Sequence, residues 1–333
     1  MPSHGIISAM RLCFHESGKP TEVLRLEEFA PPTPQRHEVL VRMLYAPINP
    51  ADLNYVEGTY GRQPTFPAVP GNEGCGRIEA IGDEVESLAV GDLVIALHPL
   101  GCWSQHVVAA ENQFAKLPED IDLAQASMLR VNPTTAWQMI HNFRELDLGD
   151  FVVQNAANSG VGTAVIQIAR HLGLKTVNFV RRPELVAELT ELGGDVVVLD
   201  NETGVAQAQA LVGPHPLRLA LNAVGGDSAL RLMEILAPRG TLVTYGAMSR
   251  RSLKIPNKYL IFKDLEIRGY WLSRWLDEAP HHEIRTVLQP LADLMRKGVI
   301  KLPVDTIYPV TDFQQAITHA LEGGRNGKII LKF

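Results

Sequence analysis

From Ala9 to about Pro118 the apolar positions fall in short β-rich runs, Glu38 to Leu44, Gly76 to Ile81, Leu93 to Leu97 and His106 to Ala109, each closed by turn residues. This pattern predicts an irregular, mostly antiparallel domain. Between Leu123 and Phe143 the spacing becomes helical, with an interruption at Asn132-Pro133. From Asp150 onward strands and helices alternate as in βαβ units, with strands predicted at Phe151 to Asn155, Thr176 to Val180, Val196 to Leu199, Leu217 to Asn222, Gly240 to Thr244 and Leu265 to Gly269. Six such strands make a doubly wound parallel sheet. A helix is predicted at Glu283 to Lys297, and the apolar run Ile329 to Phe333 reads as a strand that needs partners in the first domain. The predicted class is therefore α/β. A doubly wound domain, residues 129–279, is inserted into a split β-rich domain of residues 1–128 and 280–333.

Composition narrows the function. With 333 residues, 46% hydrophobic and 20% charged, the chain can bury two ordinary cores. The net charge of −6 is modest and no block of five like charges occurs, which argues against a nucleic-acid face or an anionic-membrane patch. Met1-Pro-Ser-His-Gly lacks a basic segment followed by an apolar run, and no run of ~18 apolar residues occurs. A cytoplasmic protein is expected. Cys13, Cys75 and Cys102 are odd in number and far apart, which suits a reducing compartment and neither a disulfide framework nor a four-cysteine zinc site.

The candidate chemistry begins at Phe151-Val-Val-Gln-Asn-Ala-Ala-Asn-Ser-Gly-Val-Gly-Thr, a buried strand, a small-residue turn and a helix start. Small residues let backbone approach a pyrophosphate, and the first helical N–H groups offer it partial positive charge. In the slot of a G-x-G-x-x-G motif stand Ala157, Ser159 and Gly162, so two glycines are replaced and the helix-packing one is kept. About 20 residues past the turn, where an NAD site places an acid, stand Arg181 and Arg182. Guanidiniums suit a ribose 2′-phosphate, so NADPH is expected over NADH. Taken alone, the turn also reads as a tight connection without a ligand, and the arginines as a solvated turn.

The order of parts, Gly71-Asn72-Glu73-Gly74, then Gly91-Asp92-Leu93-Val94, then the nucleotide turn, resembles the medium-chain dehydrogenase/reductase superfamily along essentially the whole chain. Within it, Ile48-Asn49-Pro50-Ala51-Asp52, Gly58-Thr59-Tyr60-Gly61, Val131 to Ala136, Asn155 to Gly162 and Ile261 to Leu272 are similar to the mitochondrial-type 2-enoyl thioester reductases of fatty-acid metabolism. The resemblance implies a GroES-like catalytic domain around a Rossmann domain. It also implies a subtraction, because zinc alcohol dehydrogenases hold a cysteine ligand at the place of Asn49 and a histidine ligand at that of Asn72. An amide replaces neither, so no catalytic zinc is expected. Glu73 then reads as a hydrogen-bonding residue.

What the resemblance implies is NADPH-dependent reduction of the C=C bond of a trans-2-enoyl thioester carried on coenzyme A or acyl carrier protein. Tyr60 is the implied proton or hydrogen-bond donor, since a phenol is protonated at neutral pH; without the resemblance it reads better as a packing tyrosine, with Tyr55 as the fallback donor. Implied cofactor contacts are Asn132, Asn158, Ser159, Gly160 and Val161 at the turn, Arg181 and Arg182, then Tyr245, Gly246, Ala247 and Met248, then Tyr270, Trp271 and Leu272, and finally Lys328. Asn132 reads equally as a turn residue before Pro133, and Lys328 equally as a solvated turn lysine. Longer members have one more residue between the two arginines. Trp271 and Phe262 are expected to line an acyl pocket. A quinone or alkenal reductase would share the scaffold, and an NADPH-binding regulatory protein would share the turn without needing a donor phenol. The edge Leu265 to Leu272 predicts a homodimer.

Overall fold

The computed structural model describes residues 8–333, so the leader reading of Met1 to Gly5 lies outside the described residues. The chain packs as two compact units, one comprising the described residues up to Val131 with Trp275–Phe333, the other Asn132–Arg274.

In the first unit, Ala9–Cys13 (β1) and Arg25–Phe29 (β2) form an antiparallel ribbon of two strands. Glu38–Pro47 (β3), Cys75–Ile81 (β4), Leu93–Ala96 (β5), His106–Ala110 (β6) and Phe114–Lys116 (β7) follow. Helix α1, Pro50–Glu57, leaves the end of β3 with Pro50 in its first turn, where the missing N–H is no loss. Leu53 and Val56 of α1 join Val39, Val41, Ile78, Val94 and Trp103 in the core.

The second unit holds a six-stranded parallel sheet of Phe151–Gln154 (β8), Lys175–Val180 (β9), Val196–Leu199 (β10), Leu219–Asn222 (β11), Thr241–Thr244 (β12) and Glu266–Gly269 (β13). Their order is β10-β9-β8-β11-β12-β13. All six correspond to predicted strands, within a residue or two at the ends. The order reverses between β8 and β11, and in such sheets ligands bind off the carboxyl ends of the strands at that point. Helix α2, Asn132–Asn142, begins where the pattern predicts an interruption, because a proline in a first turn starts a helix as readily as it stops one. Helix α3, Gly160–His171, follows β8.

The chain then returns to the first unit through helix α4, His281–Arg296, and Val304–Pro309 (β14) and Lys328–Lys332 (β15). β15 runs antiparallel to β3, with Ile330 opposite Pro47, and parallel to β14 on its other side. The first unit's larger sheet thus reads β14-β15-β3-β4-β5-β7, with β6 also on β3. No helix among the described residues is long and apolar enough to cross a membrane.

Candidate functional site

In the first unit a charged cluster is buried around the start of α1. Asp52 accepts the Asn49 amide N–H at 2.8 Å on one oxygen, and the backbone and side-chain N–H groups of Asn72, each at 2.7 Å, on the other. Glu73 accepts from Asn49 Nδ2 at 2.8 Å and from the Val131 amide at 2.8 Å. Lys328 Nζ donates to Asn49 Oδ1 at 2.7 Å. An ammonium can only donate and a carboxylate can only accept, so these two neighbours fix which way the Asn49 amide points. Arg130 donates to the Asn72 carbonyl.

Two carboxylates and two cations thus share a space where Asp52 and Glu73 are fully buried and Lys328 is 9% exposed. Burial raises Asp52 and Glu73 above the usual carboxylate range and lowers Arg130, and it brings Lys328 down to about 8. Glu73 is held as the sequence suggests, by hydrogen bonds. Zinc does not fit the places of the family's ligands: Asn72 is bound to Asp52, Asn49 is bound to Glu73, and an ammonium 2.7 Å from Asn49 Oδ1 repels a divalent cation. Cys75 and Cys102 are buried, their thiols pushed up to about 12 by burial, and Cys75 donates to the Leu123 carbonyl. They are inert.

Tyr60 follows the left-handed Gly58 (φ 74°) that caps α1. Its amide donates to the Asn54 carbonyl at 3.2 Å and its carbonyl accepts Gln63 Nε2 at 3.1 Å, which fixes the turn. The side chain is half-buried, and its phenol lies close enough to Arg130 to act on that guanidinium's charge. Tyr55 is different. Its ring meets Phe14 edge-on at 5.6 Å against the core, which gives it a packing role, and burial raises its phenol.

In the second unit the small-residue turn is built as a cradle. Ser159 caps α3, its hydroxyl accepting the Gly162 amide at 3.1 Å, while Gly160 and Val161 supply first-turn donors with no intrahelical acceptor ahead of them. A Cβ at Gly162 would lie 2.5 Å from the Ala157 carbonyl oxygen, so this glycine is required by close packing. A Cβ at Gly160 would press on the Asn132 amide at 3.0 Å. Asn132, at the start of α2, is 6% exposed, and its buried Nδ2 has no hydrogen-bond partner. An unpartnered buried donor beside a row of open helical amides is what an anionic or amide-bearing ligand would satisfy. The dinucleotide therefore fits.

The other expected contacts lie after the carboxyl ends of neighbouring strands. Arg181 and Arg182 follow β9; Arg181 is exposed, and Arg182 pairs with Glu184 at 3.4 Å. Tyr245 to Met248 follow β12, tied by the Tyr245 amide to the Asn222 carbonyl at 3.0 Å and by the Met248 amide to the Ala223 carbonyl at 2.9 Å. The buried Tyr245 hydroxyl lies beside Ser159. Tyr270 follows β13, its ring edge-on to Phe143 at 6.1 Å and its buried hydroxyl without a partner. Trp271 and Leu272 are half-buried next to it. Phe262 departs from expectation: it is 81% exposed after the short helix Asn257–Ile261, whose buried residue is Tyr259, so it lines no pocket of its unit. Lys328 is no solvated turn lysine.

Sequence reasoning missed the asparagine network that shapes the cradle. Asn155 donates to Asn222 Oδ1 and Ser228 Oγ, both at 2.8 Å, and accepts the Ala223 amide at 2.8 Å, tying the end of β8 to that of β11. An asparagine closing each of two apolar strands is the available signal.

Residues 35–119 match the alcohol dehydrogenase GroES-like domain, and residues 160–293 match the zinc-binding dehydrogenase family. The mitochondrial enoyl-[acyl-carrier-protein] reductase of Rattus norvegicus is 42% identical over 327 residues, covering 96% of this chain and 87% of its own. The chain belongs to the enoyl thioester reductase family. The mitochondrial 2-enoyl thioester reductase Etr1p/Etr2p heterodimer from Candida tropicalis superposes with a TM-score of 0.90 at 27% identity, covering 98% of this chain and 100% of its own. A complex of Etr1p with NADP and crotonyl-CoA gives the same TM-score, identity and coverage. The relatives also correct one expectation. Rat, mouse and human relatives are all named mitochondrial, which overturns the cytoplasmic reading. The composition of the first residues and the cysteine count are poor guides here, since organelle addresses are Arg-rich amphipathic segments unlike secretory leaders.

Proposed function

We propose that this protein reduces the C=C bond of trans-2-enoyl thioesters, carried on coenzyme A or acyl carrier protein, with NADPH. The observation that carries the reading is the Lys328–Asn49–Glu73 chain where zinc enzymes hold their metal, with the Tyr60 phenol near the same cluster. Such a site suits a reaction in which charge collects on a conjugated carbonyl rather than on a metal-bound alcohol.

When bound, NADPH supplies the hydride that adds to the β-carbon. Tyr60 donates to the thioester oxygen as negative charge develops there. The amides of Gly160 and Val161, with Asn158 and Ser159, hold the pyrophosphate, and the Asn132 amide supplies a further donor. Arg181 takes the 2′-phosphate, with Arg182 assisting to the extent that Glu184 releases it. Tyr245, Gly246, Ala247 and Met248, and Tyr270, Trp271 and Leu272, border the nicotinamide. Lys328 holds Asn49 with one of its three donors, and its expected contact with the cofactor falls to the others. The exposed edge strand β13, with Ile261 and Phe262 exposed just before it, supports a homodimer formed through that edge.

The test is loss of NADPH absorbance with crotonyl-CoA set against a simple quinone. Turnover with the thioester and little with the quinone is the expected result. The reverse preference would replace this reading with a quinone reductase.

A further inference from the structure

The β1–β2 ribbon carries a second set of ligand-type side chains. Cys13 is the last residue of β1, His15 lies two residues on, and Glu27 is the middle residue of β2. The Cys13 thiol, a ring nitrogen of His15 and a carboxylate oxygen of Glu27 all lie within 4.8 Å of one another. His15 Nε2 is 2.7 Å from Glu27 Oε1.

The backbone explains the convergence. In the antiparallel register Cys13 is opposite Arg25 and Glu27 is opposite Arg11, so Cys13 and Glu27 are diagonal neighbours on one face. Phe14 is pinned between Cys13 and His15 by reciprocal backbone bonds with Ala68 at 3.0 and 2.9 Å, and its ring meets Tyr55 and Phe66. Alternation then brings Cys13 and His15 to the face opposite Phe14.

We propose that Cys13, His15 and Glu27 form a divalent transition-metal site, zinc being the metal their chemistry suits best, separate from the place of the family's catalytic zinc. One sulfur, one imidazole and one carboxylate make a three-ligand set that zinc completes with water. The His15 and Glu27 side chains are 61% and 30% exposed, which leaves the fourth position open to solvent. Zinc–ligand bonds of about 2.0 to 2.3 Å place tetrahedral ligand atoms about 3.4 to 3.6 Å apart. The thiol already lies within a short side-chain rotation of that, and the His15–Glu27 pair has to open by less than an ångström. His15, at the surface, is able to swing.

Burial and the Glu27 charge hold the Cys13 thiol above its ordinary value, so the metal-free site keeps its proton. Loading exchanges that proton for the metal: the S–H bond breaks, a sulfur–zinc bond forms and one proton leaves to solvent. Thiolate and carboxylate then balance the dication. Of the two arginines on this face, Arg11 is held against the Phe29 ring, 5.1 Å from its centroid, and Arg25 donates to the Glu22 and Leu24 carbonyls.

The test is a cobalt titration of chelator-stripped, full-length enzyme, followed by zinc competition. One equivalent of cobalt giving a thiolate charge-transfer band with release of about one proton, the band lost without further proton release when zinc displaces cobalt, and a rise in Tm on loading with zinc, is expected. Cys13→Ser should abolish the band, and His15→Ala should weaken binding tenfold or more and remove the zinc-dependent rise in Tm. His15→Ala changes an exposed side chain and keeps the test valid if Cys13→Ser folds poorly. Enoyl thioester turnover should be unchanged in both variants. No saturable binding by the wild type, or binding that persists in His15→Ala as it would at an adventitious surface imidazole, overturns the proposal.

Discussion

Lys328 is a costly residue to bury, and its surroundings say why it is tolerated. Its ammonium faces Asn49 directly and Glu73 and Asp52 electrostatically, with Arg325 opposing. Removing one member of a buried charge group leaves the others uncompensated, so Lys328→Met should destabilise the protein by about 3 to 5 kcal/mol in urea unfolding. The pH dependence has a definite sign. The folded value of about 8 lies below the ordinary lysine value of 10.5, so between those limits the unfolded chain binds more protons. Stability attributable to this lysine therefore rises with pH across that window, and the gap between wild type and Lys328→Met should widen from pH 8 to 10.5. A gap constant with pH would remove the ammonium from the cluster. For Tyr60 the readout is catalytic. Tyr60→Phe keeps the ring, so kcat with crotonyl-CoA should fall by about 10² to 10⁴ while NADPH affinity and Tm hold; near-normal turnover would mark a packing tyrosine. Tyr60 was legible only by resemblance, Asp52 only as part of a motif that carries it and with no role assigned, and Arg130 not at all. Nothing local in Ala51-Asp52-Leu53 or Leu129-Arg130-Val131 reveals that partners 20 to 58 residues away bury both.

At the scale of elements, the strand–turn–helix from Phe151 to His171 shows which parts of a motif are dispensable. Ala157 and Ser159 replace glycines without loss of the turn, and Ser159 adds a cap. Gly162 alone faces a carbonyl at 2.5 Å. Gly162→Ala should therefore lower Tm and weaken NADPH binding together, measured by thermal melts and fluorescence titration. Arg181→Ala should weaken NADPH binding about tenfold or more, the loss of a charge-assisted contact of roughly 1.5 to 3 kcal/mol, and leave NADH nearly unchanged. Arg182→Ala should do less, since Glu184 already engages that side chain. Equal losses for both cofactors would refute the assignment. Strands β8 to β12 were readable because both faces of such a sheet are buried and each is a largely apolar run, whereas the exposed β13 was readable only from the βαβ alternation. β2 and β14 were not. Arg25–Phe29 is largely polar and half-exposed, and Val304–Pro309 has no fully buried residue, so neither stands out from a loop.

For the whole molecule, assembly and metal independence are separable. Light scattering at micromolar concentration should report a dimer, and a charged residue in place of Ile267 on β13 should convert it to monomer if that edge is the interface. Stripping metal with a chelator should leave turnover intact, because the ligand places hold Asn49 and Asn72. The topology has a further consequence, for biosynthesis. β15 is hydrogen-bonded to β3, and Ile330 sits opposite Pro47. At 5 to 20 residues per second the ribosome needs roughly 15 to 55 s to make the partner that β3 awaits. Throughout that interval Asn49, Asp52 and Glu73 lack their ammonium and β3 has an unfilled edge, whereas the sheet of the second unit draws all its strands from one continuous segment. The nascent chain thus carries an incomplete first half past a second half able to close on its own. Chaperone dependence in this protein should therefore be set by the delay before residue 328 emerges, and a circular permutant that brings β15 next to β3 in sequence should shorten it.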